Sequence, residues 1–183
     1  DQPLFNRTTQ GQYPLGSVFK AISMSAALES GTFLSTSSFY CGQSLWVCDS
    51  VTLYDWTYSH GIGASGDLTL PEGLMRSCNP WFYHIGETLY SEGMESALSE
   101  MAEGFGLGQQ TGIEIVEVAG NIPETAETCV ESAQIAIGQG RVLVTPLQVV
   151  SFFGAIANGG TLYRPALVER IQNLSGETTY TFI

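Results

Sequence analysis

The sequence predicts a mainly α fold with small β-hairpins, and three observations carry that expectation. Two stretches, 17–28 and 145–157, are apolar almost all round, as central buried helices are. A third stretch repeats Trp81, Phe82, Ile85, Leu89 and Tyr90 at helical spacing. Strand-like patterning is confined to brief runs near 39–47, 113–118 and 162–183. At 183 residues and 44% apolar composition the chain can bury a sizeable core, with one domain the default.

Taken in order, residues 1–16 are polar and turn-rich and lead into the 17–28 helix, which Gly31 stops. Residues 32–66 are rich in Ser, Gly and aromatics without a helical period, which predicts loops and one hairpin around 39–47. His60-Gly61 falls there, and a lone histidine in such a place caps or packs. Thr69-Leu70-Pro71-Glu72 has the form of a capping box and opens a short helix through Arg76. Ser77-Cys78-Asn79-Pro80 interrupts the pattern, with Asn79 fit to cap the next helix and Pro80 fit for its first position.

Further helices are predicted over 94–103 and 126–137, separated by Gly104-Phe105-Gly106-Leu107-Gly108 and an irregular 109–124. That glycine run is not a nucleotide loop, because it lacks Lys-Ser/Thr and the dinucleotide spacing. Gly138-Gln139-Gly140 then breaks the chain, and Thr145-Pro146-Leu147-Gln148 opens a helix with threonine cap, proline and glutamine all in place. Asn158-Gly159-Gly160 ends it, and 162–174 and 178–183 read as strands around Ser175-Gly176.

Charge narrows the function classes. With 18 acidic against 6 basic residues and a net charge of −12, the chain lacks the Lys/Arg field that nucleic acid or anionic lipid requires. No apolar run reaches the length of a membrane span; 149–157 comes nearest and is broken by Ser151 and Gly154. A start on Asp1 predicts a piece of a longer protein, with any membrane anchor outside this chain. Cys41 and Cys48 flank a short segment, which leaves a hairpin disulfide and two free thiols both open. Cys78, Cys129, His60 and His84 show no metal-ligand spacing, so neither a metal site nor a cofactor is predicted.

Lys20 is the single lysine of the chain. Ser17 stands three residues before it, on the same helix face and at the positive helix end, so the two can form a nucleophile and base. Burial and that helix end both favour a neutral, proton-accepting amine. On spacing alone, Ser-x-x-Lys is common by chance, with the serine a helix cap and the lysine a surface charge. Ser77 and Asn79 sit in a tight connection that can present a hydroxyl and an amide to a cleft, although capping explains Asn79 equally well.

Ser17-Val18-Phe19-Lys20 with Pro14 and Gly16, Ser77-Cys78-Asn79, and Gly138-Gln139-Gly140 followed by Thr145-Pro146-Leu147-Gln148 stand in a telling order. That order and spacing resemble the penicillin-binding transpeptidases, most closely their monofunctional, class B branch. Asn6-Arg7, His60-Gly61, Phe105-Gly106-Leu107-Gly108, Thr111-Gly112-Ile113 and Ala157-Asn158-Gly159-Gly160 look like the family's secondary signatures, so the resemblance covers nearly the whole chain. The conjunction reverses the weight that spacing alone gave to Ser17 and Lys20.

The resemblance implies acyl transfer on D-alanyl-D-alanine stem peptides of peptidoglycan, with β-lactams acylating the same serine, outside the cytoplasm. Ser17 would be nucleophile, Lys20 base and Ser77 proton relay, Asn79 would bind the donor amide or steady Lys20, and Ser17 N–H would be half an oxyanion hole. The family's third motif, Lys-Thr-Gly or Lys-Ser-Gly, is absent from the 183 residues, and the resemblance places it beyond Ile183. The expectation is therefore a partial transpeptidase domain over 1–183: the helical part of an α+β fold, most of its central sheet missing, inactive alone. An exposed apolar patch and self-association are expected with it. The competing reading is a penicillin-recognising sensor or a non-catalytic cell-wall-binding pseudoenzyme; sensors and class D β-lactamases share the serine motifs, whereas Gln139 and 145–148 fit transpeptidases better.

Overall fold

The computed structural model describes residues 3–181. A one-turn helix, α1 (Arg7–Gln10), is capped by Asn6, whose side chain accepts from the Thr8 N–H. A 3-10 turn over Gly16–Phe19 then tightens the entry to α2 (Lys20–Glu29), so the predicted 17–28 helix starts as a narrower coil. Phe19, Ile22, Ala26 and Ala27 of this segment are buried with Trp81, Phe82, Ile85 and Leu89 in the main core. That packing, rather than propensity, is what holds so short a helix.

Helix and strand make up 38% and 15% of the chain, so the architecture is α+β, and the mainly α expectation is overturned. The difference lies in residues 38–69, which carry four strands of four residues each. β1 (Ser38–Cys41) pairs antiparallel with the distant β4 (Gly66–Thr69), while β2 (Ser44–Val47) pairs with β3 (Val51–Tyr54). The expected hairpin over 39–47 does not form, because those residues are divided between β1 and β2, which take different partners. A four-residue strand has only two inward positions, too few for a period-two signal to stand out. Between β3 and β4 lies α3 (Trp56–Ser59), capped by Asp55.

Thr69 and Glu72 make the predicted capping box of α4 (Leu70–Met75). α5 (Asn79–Ser91) follows, then α6 (Ala97–Gly104), α7 (Cys129–Ile135) and α8 (Pro146–Ala157). α6 and α7 each begin three residues later than their patterns suggest, and Thr128 caps α7 through the Glu131 N–H. Residues 113–118 form no strand; Thr9 instead ties them to α1, its carbonyl accepting from Val118 N–H and its hydroxyl donating to Val116 O. β5 (Arg170–Gln172) and β6 (Thr178–Thr181) make the C-terminal hairpin, shorter than predicted, and 182–183 of that prediction lie outside the described residues.

α8 is half-buried rather than central. Gln148, Phe152 and Ala155 face inward, while Val150, Phe153 and Ile156 are 68%, 43% and 46% exposed. Gln148 is the reason this helix sits where it does: its amide donates to Gln109 O and Ala119 O, both at 2.7 Å, and its Oε1 accepts from Thr145 N–H.

Two long-range devices fix the segments that matter most below. Cys41–Cys78 ties β1 to the connection before α5, and Cys48–Cys129 ties the β2–β3 turn to α7, so neither the Cys41–Cys48 hairpin bridge nor free thiols are formed. Gly138, at φ +69°, approaches the 3-10 turn so closely that its carbonyl accepts from Gly16 N–H at 2.9 Å. A Cβ there would lie 2.3 Å from Gly16 O.

Gly138→Ala combines positive-φ strain with a backbone clash and is expected to destabilise the chain by about 2–4 kcal/mol in urea unfolding. Loss of either disulfide releases a loop spanning 37 or 81 residues of sequence separation. Chain entropy puts that at about 4 kcal/mol each, so reduction should lower the melting temperature markedly in calorimetry.

Candidate active site

The start of α5 builds the site. Its cap is Cys78, not Asn79: Cys78 Sγ accepts from Trp81 N–H at 3.3 Å, and Asn79 and Pro80 are already helical. This one-residue shift frees the Asn79 amide from capping. Its Nδ2 donates to Tyr54 O at 3.4 Å, which turns Oδ1 toward Lys20. Ser77, just before, has φ +52°, a left-handed conformation that costs a non-glycine residue about 1–2 kcal/mol. That twist points the Ser77 carbonyl inward.

Lys20 is fully buried. Its Nζ donates to Ser77 O at 2.7 Å and Asn79 Oδ1 at 2.6 Å, and meets Ser77 Oγ at 3.1 Å. The Phe82 ring centroid lies 5.4 Å away. Burial pushes the amine down from 10.5 to about 8, opposed by the negative field of Asp55. Ser17, exposed at the surface end of the 3-10 turn, is joined to this cluster through Ser77, the two hydroxyl oxygens 2.9 Å apart.

All four residues singled out in the sequence, Ser17, Lys20, Ser77 and Asn79, thus form one hydrogen-bonded cluster, although they come from two segments about sixty positions apart. Gly138 braces the same turn from the other side, with Gln139 exposed beside it. His60 stands apart: its Nδ1 lies 2.9 Å from Trp56 O, closing α3 locally. His84 packs face to face on Phe39, centroids 4.4 Å apart, and burial lowers its proton affinity.

Asp55 and Tyr54 are the residues sequence reading missed. Tyr54-Asp55-Trp56-Thr57 gives a local cap signal at most. Its other bond, from Asn79 N–H to Asp55 Oδ1 at 2.8 Å, crosses 24 residues and leaves no mark in spacing.

The model of the penicillin binding protein transpeptidase domain matches residues 1–181. The chain belongs to that family. Within it, the class B placement expected from the motifs stands. Relatives of this transpeptidase-domain chain include the stage V sporulation protein D of Bacillus subtilis, 37% identical over 92% of this chain and 25% of that protein. Another is the peptidoglycan D,D-transpeptidase MrdA of Haemophilus influenzae, 32% identical over 93% and 27%. The chain therefore spans about a quarter of the length of these curated relatives. Among solved structures, a penicillin G acyl-enzyme complex of Mycobacterium tuberculosis penicillin-binding protein A superposes with a TM-score of 0.80 at 30% identity, over 99% of this chain and 40% of that one.

The buried amine makes stability depend on alkaline pH. Between pH 8 and 10.5 the folded chain holds fewer protons on Lys20 than the unfolded chain, so stability rises across that window by ~3 kcal/mol. Tyr83, pushed by burial from 10.0 to about 12, holds its proton longer when folded, so stability falls again above pH 10. Urea unfolding should show a maximum near pH 10, and Lys20→Met should remove the rising limb while leaving the falling one.

Proposed function

We propose that this chain is the nucleophile-bearing part of a serine-type D,D-transpeptidase, acting on D-alanyl-D-alanine stem peptides of peptidoglycan and acylated by β-lactams. The observation that carries the reading is the continuous hydrogen-bonded path Ser17 Oγ, Ser77 Oγ, Lys20 Nζ. It is supported by the name of the MrdA relative and by the acyl-enzyme state of the M. tuberculosis neighbour.

The proton route follows from donor and acceptor chemistry. A neutral Lys20 has two N–H groups and one lone pair. Ser77 O and Asn79 Oδ1 can only accept, so they take the two N–H groups and leave the lone pair facing Ser77 Oγ. As Ser17 Oγ attacks the penultimate D-alanine carbonyl carbon, its proton passes to Ser77 Oγ while the Ser77 proton passes to Lys20. Collapse of the tetrahedral intermediate breaks the amide bond, and the same relay run backwards protonates the departing amine. Attack by the acceptor amine on the Ser17 ester then repeats the sequence in reverse. With the amine titrating at about 8, about a tenth of the molecules hold it neutral at pH 7. Ser17 N–H supplies half of the oxyanion hole.

Two disulfides support an extracytoplasmic location, where such bridges persist. No helix among the described residues is long and apolar enough to cross a membrane. The exposed Val150, Phe153 and Ile156 face favours self-association of the chain in isolation. Because the 183 residues contain no Lys-Thr-Gly or Lys-Ser-Gly, the chain alone works as a partial domain. A missing oxyanion-hole donor costs ~10²–10³ in rate.

Incubation with excess fluorescent penicillin should therefore label the chain slowly, ~10²-fold or more below a complete transpeptidase domain. Peptide mapping should place the adduct on Ser17, and Ser17→Ala should abolish it. Rapid stoichiometric labelling would refute the partial-domain reading, and a missing adduct or one on another residue would refute the assignment of Ser17. A stable adduct with no transfer to an acceptor amine, even in the full-length protein, would favour the sensor reading.

A further inference from the structure

Asp55 is 3% exposed, yet no cation among the described residues pairs with it by direct contact. Its two oxygens are divided between two jobs. Oδ2 accepts from the Thr57 hydroxyl at 2.7 Å and from Thr57 N–H at 3.2 Å, which is ordinary capping of α3. Oδ1 reaches across to the Asn79 N–H at 2.8 Å, at the first turn of α5. That helix start is otherwise capped only by a disulfide sulfur, a weak acceptor. The preceding residue, Tyr54, takes the Asn79 side chain, since its carbonyl accepts from Nδ2. Residues 54 and 55 together therefore hold Asn79 by backbone and side chain, with Oδ1 left aimed at Lys20.

We propose that Asp55 is the positioning residue of this site: its carboxylate fixes the Ser77–Asn79 turn against Lys20, and its charge, one residue removed through Asn79, acts on that amine through space. The inference rests on the acyl-transfer reading above and adds to it a residue that touches neither substrate nor nucleophile. Geometry gives Asp55 two separable effects. Its hydrogen bond keeps the two acceptor oxygens on the amine, and its charge opposes the loss of the Lys20 proton that burial promotes. The groups in contact with the Lys20 amine are the Ser77 carbonyl and hydroxyl, the Asn79 amide oxygen and the Phe82 ring, with the Ser17 hydroxyl one bond further out on Ser77; Tyr83 feels the same charge and stays a neutral phenol. Asp55 is thus the anion acting on the amine.

Asp55→Asn removes the charge and keeps the bond that matters to the site: the amide oxygen can still accept from Asn79 N–H, while its NH2 group replaces Oδ2 beside Thr57, where it can donate to the hydroxyl but no longer accepts from Thr57 N–H. Lys20 is the single lysine, so lysine labelled at Cε gives one carbon resonance whose titration reads this amine alone. In the wild-type chain that resonance should titrate near 8, and in Asp55→Asn about 0.5–1.5 units lower, a roughly 3- to 30-fold loss of proton affinity. The acid limb of the slow β-lactam acylation rate should move to lower pH by the same amount, which a purely structural role would not produce. An unmoved Lys20 titration in a folded variant overturns the proposal. Should the variant not fold, the wild-type chain labelled at aspartate Cγ decides: the Asp55 resonance should inflect as Lys20 titrates, and a flat response overturns the proposal equally. A shifted amine without a Ser17 adduct would instead remove the acyl-transfer reading and leave the Asp55–Lys20 coupling standing.

Discussion

Burying Lys20 with no carboxylate of the described residues in contact is the constraint on which the rest of the structure depends. An ammonium group taken from water loses several kcal/mol of solvation, and the chain answers with oxygens rather than a paired charge. Supplying those oxygens requires the Ser77 carbonyl to face inward, which requires the left-handed backbone at Ser77. That backbone is held from three sides: the disulfide at Cys78, Asp55 on the Asn79 N–H, and Tyr54 on the Asn79 side chain. Burial outweighs those acceptors and the Asp55 field, so the amine's proton affinity is softened to about 8.

The short strands make sense in the same terms. β1 ends on Cys41 and β3 ends on Tyr54, so the two small sheets deliver the disulfide and the Tyr54-Asp55 pair to the start of α5. On the opposite side, the close approach of Gly138 to Gly16 seats the serine-bearing turn, and no side chain could occupy that position without moving the backbone. The two serines therefore meet at the junction of three packed segments rather than within one element.

Much of this was legible in the sequence where the signal is local. Thr69 with Glu72, and Thr145 with Gln148, formed the capping boxes their patterns announced, because a cap involves residues three apart. The choice of Ser17, Lys20, Ser77 and Asn79 came from ordered motifs and a family resemblance, and the structure draws the four together. What failed was non-local. The partners of β1 and the pairing of Cys41 with Cys78 depend on segments dozens of residues away, and four-residue strands carry too little alternation to reveal them. The mainly α expectation failed for the same reason. Capping by Cys78 rather than Asn79 was hidden because the cysteine's geometry is set by its bridge, not by its neighbours.

By itself the sequence determined the helices with strong caps, the acidic surface and the singularity of Lys20, since each is a property of composition or of residues within one turn. Tertiary structure alone decided the state of that lysine. Its burial, the left-handed Ser77, and the reach of Asp55 to Asn79 arise only when segments 17–29, 38–55 and 77–91 pack on one another. Desolvation and Coulombic fields act through space, so proton affinity is written in the packing and not in the spacing of residues along the chain.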